Sequence, residues 1–233
     1  MSKADFINNG YTSTNAFDET FIRDLQKIIQ TTKLNDLNFG KNAKIQIIDW
    51  RDNDILFKKC LKSVKEKICE NTDISYDFLN KHFTQKVYLS SDTNISTHQN
   101  QIPHFDSYPA IKLQIHLSDN SNKNTGCTVF VKSSHNSLLL KIIRFLRIFY
   151  IPGKFGMKEN KLYKKTIADG EHVFGVGAKY TGMIFDTDTL HYAGKVESQN
   201  FIRKIIRFDF QKRRTLGFFC EAIFSKIRSF LIL

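Results

Sequence analysis

His104 and Asp106, near the middle of this 233-residue chain, form an H-x-D pair, and His191 follows 87 positions later in the run DTLHYAG. In an extended segment residues i and i+2 project to one face, so an imidazole and a carboxylate so spaced can converge on a metal ion. A second imidazole completes a two-histidine, one-carboxylate set. Such a set holds non-haem Fe(II) from one side and leaves three positions open for a co-substrate and O₂. An H-x-D pair alone is weak evidence in a chain with seven histidines, several of which will serve structure. The order of features around it says more. After the pair come a Gly-containing turn, an apolar strand, an S-S-H end, another Gly-turn strand, the second histidine and a basic strand.

In that order the chain resembles the phytanoyl-CoA dioxygenase family of Fe(II)/2-oxoglutarate oxygenases. That family shows H-x-D, a strand ending in an N/D-G turn, a hydrophobic run and a P-G-[ST]-H-like end. NTGCTVFVKSSH (124–135) is similar, with Lys132-Ser133 in place of Pro-Gly. HYAGKVESQNFIRKIIRFDF (191–210) then supplies the distal histidine and an arginine a dozen residues on. The resemblance spans roughly residues 85–211. It implies a double-stranded β-helix, iron held by His104, Asp106 and His191, and Arg203 gripping the far carboxylate of 2-oxoglutarate. A guanidinium suits that task because it is planar, bidentate and always charged. Arg207 has the same strand parity and is the alternative anchor. The family also places polar co-substrate contacts on the strand before the metal pair, where Lys86 and Tyr88 stand. Gln114 and Lys112 share one parity on the strand after it. His116, His135 and His172 match no motif position and read as structural or as neighbours of the site. His98 lies in a polar stretch that would make a flap. Related halogenases give up the carboxylate that this chain keeps as Asp106. Hydroxylation is therefore the first expectation, with desaturation or ring formation as other outcomes.

The elements that must position these residues show in the periodicity. Residues 1–16, rich in Ser, Asn and Thr, read as a loose arm. Residues 17–33 and 54–70 carry apolar residues at helical spacing, and 74–82 resembles a further short helix. From residue 85 the texture changes to short β-branched and aromatic runs: KVYLSS, AIKLQIHLSD, CTVFVKSS, EHVFGV, TGMIFDTD and FIRKIIRFDFQ. The expected fold class is α+β, mainly β: one domain with a mostly helical part at 1–84 and a jelly-roll core at 85–211. A helical insert at about 136–150 and an amphipathic tail at 212–233 complete it.

With 35 Lys+Arg against 23 Asp+Glu, the net charge of +12 favours an anionic partner. NSLLLKIIRFLRIFY (136–150) and the C-terminal segment pair basic or polar flanks with Leu, Ile and Phe, the pattern of helices that lie in a membrane interface. The expected substrate is then a small amphiphilic or lipid-linked molecule, a glycolipid or acyl precursor, met at an anionic membrane surface. The bland alternative is that both helices bury their apolar faces on their own domain. Two other readings stay open: a nucleic-acid-modifying oxygenase, disfavoured because no base-flipping motif accompanies the charge, and a non-catalytic β-helix binding protein. Cys60, Cys69, Cys127 and Cys220 lack metal-finger spacing, and Met1 to Asn15 lacks the apolar core of a signal peptide. A cytoplasmic protein with reduced thiols, peripheral to the membrane at most, is the expectation.

Overall fold

The structure is a computed structural model that describes residues 3–38, 43–93, 103, 104, 106, 110–136, 167–197 and 201–211. The amphipathic segments expected at 136–150 and 212–233, and His98, lie outside the described residues apart from Asn136.

Three amphipathic helices form where the spacing places them. In α3 (Asp54–Asn71) the buried residues Phe57, Cys60, Leu61, Val64 and Ile68 recur every three or four positions. In α2 (Glu19–Thr31) they are Phe21, Leu25 and Ile28, and the Asp18 carboxylate caps the helix by accepting from the Phe21 N–H at 2.8 Å. Ser75 caps α4 (Tyr76–His82) in the same way.

The expected loose arm is ordered instead. Lys3–Asn9 form α1, and Tyr11–Thr14 form β1, paired antiparallel with β8 (Gly182–Asp186). Gly10 makes the turn between them at φ +79°, and its N–H closes α1 on the Phe6 carbonyl at 2.8 Å. A Cβ here would stand 2.1 Å from Thr189 Oγ1, which itself donates to the Gly10 carbonyl. Gly10→Ala is therefore expected to cost about 2 kcal/mol or more, from left-handed backbone strain plus displacement of Thr189. Urea denaturation of the two proteins checks this, and equal midpoints would refute it.

Two antiparallel sheets make the body. The larger has seven strands in the order β1-β8-β5-β10-β4-β3-β2. Here β2 is Leu34–Asn38, β3 Ala43–Ile48, β4 Phe83–Thr93, β5 Ala110–His116 and β10 Ile202–Gln211. The smaller has the order β7-β6-β9, with β7 His172–Gly175, β6 Thr128–Val131 and β9 His191–Ala193. The β2–β3 hairpin adds two strands, between the expected helices, to the part at 1–84 expected to be mostly helical.

The two faces of the large sheet differ in kind. On the outer face Ile111, Leu113 and Ile115 of β5 join Val87 of β4 and Ile206, Phe208 and Phe210 of β10 in one core with the helices. On the inner face the alternate residues are Lys112, Gln114 and His116 of β5 and Arg203 and Asp209 of β10, all at most 9% exposed. Burying so many polar groups is costly unless each has a partner or a task. A smaller apolar cluster of Tyr11, Phe130, Met183 and Phe185 joins the sheets beside them. Cys60, Cys69 and Cys127 are free thiols, and burial pushes the Cys60 thiol up to about 12.

Candidate metal centre and anion pocket

His104 and His191 meet as a single antiparallel bridge at the edge of the small sheet. Each donates its backbone N–H to the other's carbonyl, at 3.0 and 3.1 Å. Directly opposed residues of an antiparallel pair project to one side, so the bridge alone sets the two imidazoles side by side. Their ring centroids are 4.8 Å apart. β9 in turn pairs with β6, Phe130 opposite His191. The distance of 87 residues in sequence is thus closed by one hydrogen-bonded rung.

Asp106, two residues past His104, joins them. Its Oδ1 lies 3.7 Å from His191 Nε2, and ligand atoms of His104, Asp106 and His191 all fall within 4.8 Å of one another. Three donors at right angles around one metal ion would be about 3 Å apart, so the set as it stands is somewhat wider than a closed coordination sphere. His191 is prepared for coordination. Its Nδ1 lies 2.8 Å from the Thr189 carbonyl, which can only accept, so Nδ1 carries the proton and Nε2 keeps its lone pair. Burial pulls the His191 pKa down to about 4, against the pull of Asp106, so the ring is neutral at pH 7. Burial alone would raise the Asp106 carboxyl; the Lys112 ammonium beside it holds it well below the usual carboxylate range. Lys112 Nζ donates to Asp106 Oδ2. Phe185 backs His191 with ring centroids 5.1 Å apart, and Phe130 stacks on Tyr11 behind it.

A second polar group lies between the sheets. Arg203, 5% exposed, donates from Nη2 to Thr128 Oγ1 at 3.3 Å, and that hydroxyl donates to Gln114 Oε1 at 3.1 Å. The Gln114 amide nitrogen is buried and has no hydrogen-bond partner among the described residues. Gly126, at φ +77°, lets the backbone pass over this group: a Cβ there would meet Val196 Cγ2 at 2.5 Å and Arg203 Cδ at 3.3 Å. His116 borders it. Burial, with help from Arg203, lowers the His116 pKa to about 4, and the Asn120 side-chain amide donates to its Nδ1.

The two arginines separate here. Arg207 spends its fork on Asp209, Nε to Oδ1 at 2.8 Å and Nη2 to Oδ2 at 3.2 Å, with its guanidinium 4.5 Å over the Tyr88 ring. The Tyr88 ring lies under Arg207, and Lys86 is exposed on β4. His172 is bonded to Tyr192 and to the Ile167 carbonyl, and His135 to the Ile7 carbonyl, so both serve structure. Thr128 and Asp209 were not singled out by the sequence. Their signal was only their parity with Phe130 and Arg207.

No protein-family model matches the chain, and no curated protein matches it in sequence. Solved structures do. The epimerase SnoN in complex with Fe3+, alpha ketoglutarate and nogalamycin RO superposes with a TM-score of 0.59 at 13% identity, over 90% of this chain and 82% of that one. The carbocyclase SnoK from nogalamycin biosynthesis gives 0.58 at 12%, over 91% and 83%. HygX from Streptomyces hygroscopicus with nickel, 2-oxoglutarate and hygromycin B bound gives 0.56 at 12%, over 91% and 88%. The fold is the double-stranded β-helix. At these identities the likeness is one of architecture, and membership of the phytanoyl-CoA dioxygenase family has no matching family model behind it. Within the β-helix His104 and His191 meet at the small sheet's edge, while Arg203 and Gln114 of the large sheet reach across to Thr128 of the small one.

Proposed function

We propose that this β-helix is an Fe(II)- and 2-oxoglutarate-dependent oxygenase acting on a small organic molecule. The observation that carries the reading is the bridge of His104 and His191 with the Asp106 carboxylate beside it, three donors of the type and number that suit non-haem iron. Bound there with 2-oxoglutarate and O₂, iron would supply the oxidising chemistry. The chain's own residues do the rest. His104, Asp106 and His191 hold the metal, and Thr189 keeps His191 in the coordinating tautomer. Arg203 takes the far carboxylate of 2-oxoglutarate, with Thr128 and the Gln114 amide as neutral partners. Phe130 and Phe185 keep water from behind the metal. Hydroxylation of a C–H bond is the reaction we assign first, because Asp106 keeps the ligand position filled.

The substrate is taken to be a small organic molecule. The bound nogalamycin RO and hygromycin B of SnoN and HygX are of that kind. The lipid-linked substrate and the anionic membrane surface expected from the sequence rested on segments outside the described residues. No described helix is long and apolar enough to cross a membrane.

Anaerobic addition of Fe(II) and 2-oxoglutarate to metal-free protein tests the reading. The expected result is a visible charge-transfer band that needs both components and does not form when succinate, which lacks the 2-keto group, replaces 2-oxoglutarate. A folded protein that gives no band is not such an oxygenase.

A further inference from the structure

Lys112 is an ammonium set 7% exposed in the interior, on the face of β5 that looks toward the triad. A buried cation needs a counter-charge. The residue directly opposite on β10 is Asp209, but both oxygens of Asp209 are gripped by Arg207. Lys112 turns instead to Asp106 Oδ2, the same carboxylate whose Oδ1 faces His191 Nε2. One carboxylate therefore serves both the ammonium and the metal position.

This sharing has a definite electrostatic consequence. With the site empty, Lys112 and Asp106 neutralise each other. A divalent cation placed on Asp106 makes the carboxylate answer to two positive groups at close range in a poorly solvated space, where repulsion is weakly screened. A carboxylate delivered to the metal restores the balance, since it attracts the ammonium as well as the metal. We infer that Lys112 couples the loading of metal and keto acid: it weakens binding of the metal alone and strengthens binding of the 2-oxo acid's metal-bound carboxylate. By linkage the coupling is reciprocal, so each ligand tightens the other by the same factor. The inference rests on the oxygenase reading and adds to it an ordered dependence of iron retention on the co-substrate.

Co(II), which is stable in air and visible in its d–d bands, is the probe. The full-length metal-free protein is titrated with Co(II) alone, and the Co(II)-loaded protein is then titrated with 2-oxoglutarate by calorimetry. Lys112→Met, neutral and of similar length, is expected to bind Co(II) about tenfold more tightly and 2-oxoglutarate about tenfold more weakly. Lys112→Arg keeps the charge and should hold both constants within about threefold of the parent. Opposite shifts distinguish charge coupling from damage to the site, which would weaken both constants. Shifts in the same direction, or none, overturn the inference while leaving the oxygenase reading intact. A parent protein that binds neither Co(II) nor 2-oxoglutarate removes both. If Lys112→Met does not fold, Lys112→Gln carries the same expectation.

Discussion

His104→Ala will abolish the Fe(II)/2-oxoglutarate band, whereas Arg203→Ala will leave metal binding in place and weaken 2-oxoglutarate about a hundredfold or more. The first change removes one of three grouped donors, and no other described histidine or carboxylate is grouped with them. The second acts in the opposite half of the site. Arg203 is buried and its guanidinium is positioned by Thr128. A carboxylate brought there without its cation would lie desolvated and unpaired, and truncating one side of such a pair costs about 2–5 kcal/mol, a range whose midpoint is about three hundredfold. Co(II) titration separately from 2-oxoglutarate titration distinguishes the two defects. Arg207→Ala provides the contrast. It frees Asp209 from its fork and uncovers the Tyr88 ring, so its principal effect should fall on stability rather than on co-substrate affinity. A larger loss of 2-oxoglutarate affinity in Arg207→Ala than in Arg203→Ala would reverse the assignment of the two arginines.

How far the sequence carried this site depends on the kind of information each residue needed. His104 and Asp106 were legible because parity in an extended segment is a local property. His191 came from the resemblance, whose motif order supplies a distal histidine; the rung that sets it beside His104 is a long-range pairing that no local pattern encodes. Arg203 and Arg207 share a parity, so spacing could only rank them; the pairing of Arg207 with Asp209, two residues on, is an observation that spacing does not contain. Lys86 was placed by analogy with the strand before the metal pair, but at that point β4 carries its side chain into solvent. The N-terminal errors have a related cause. YTST and LNDLN lack the apolar alternation of a half-buried strand. They are strands because β8 and β3 offer them ladders of backbone partners. The helices, whose signal is their own amphipathic spacing, fell where the periodicity put them, while the basic segments from 137 onward and from 212 onward bear on partner choice and lie outside the described residues.

The same alternation along β10 that sets Arg203 and Arg207 inward sets Phe208 outward, and this separates stability from function within one strand. Phe208 is fully buried, lies opposite Val87 and Leu113 on the neighbouring strands, and has Phe57 of α3 at 6.5 Å between ring centroids. Phe208→Ala leaves a cavity where helix and sheet meet, and the expected cost is about 3–5 kcal/mol. For a domain of this size each kcal/mol lowers the melting temperature by about 2–4 °C, so a fall of roughly 6–20 °C should be seen calorimetrically. Below that transition the inner face is unchanged in composition. The variant should still form the Fe(II)/2-oxoglutarate band when assayed cold, with affinity within a few-fold of the parent. Arg203→Ala should show the reverse pattern, a near-parental melting temperature with the band weakened. The two variants together test whether β10 divides its labour by parity. If Phe208→Ala lost the band while still folded, the metal and anion sites would depend on the helical layer, and the division between the two faces of the sheet would be wrong.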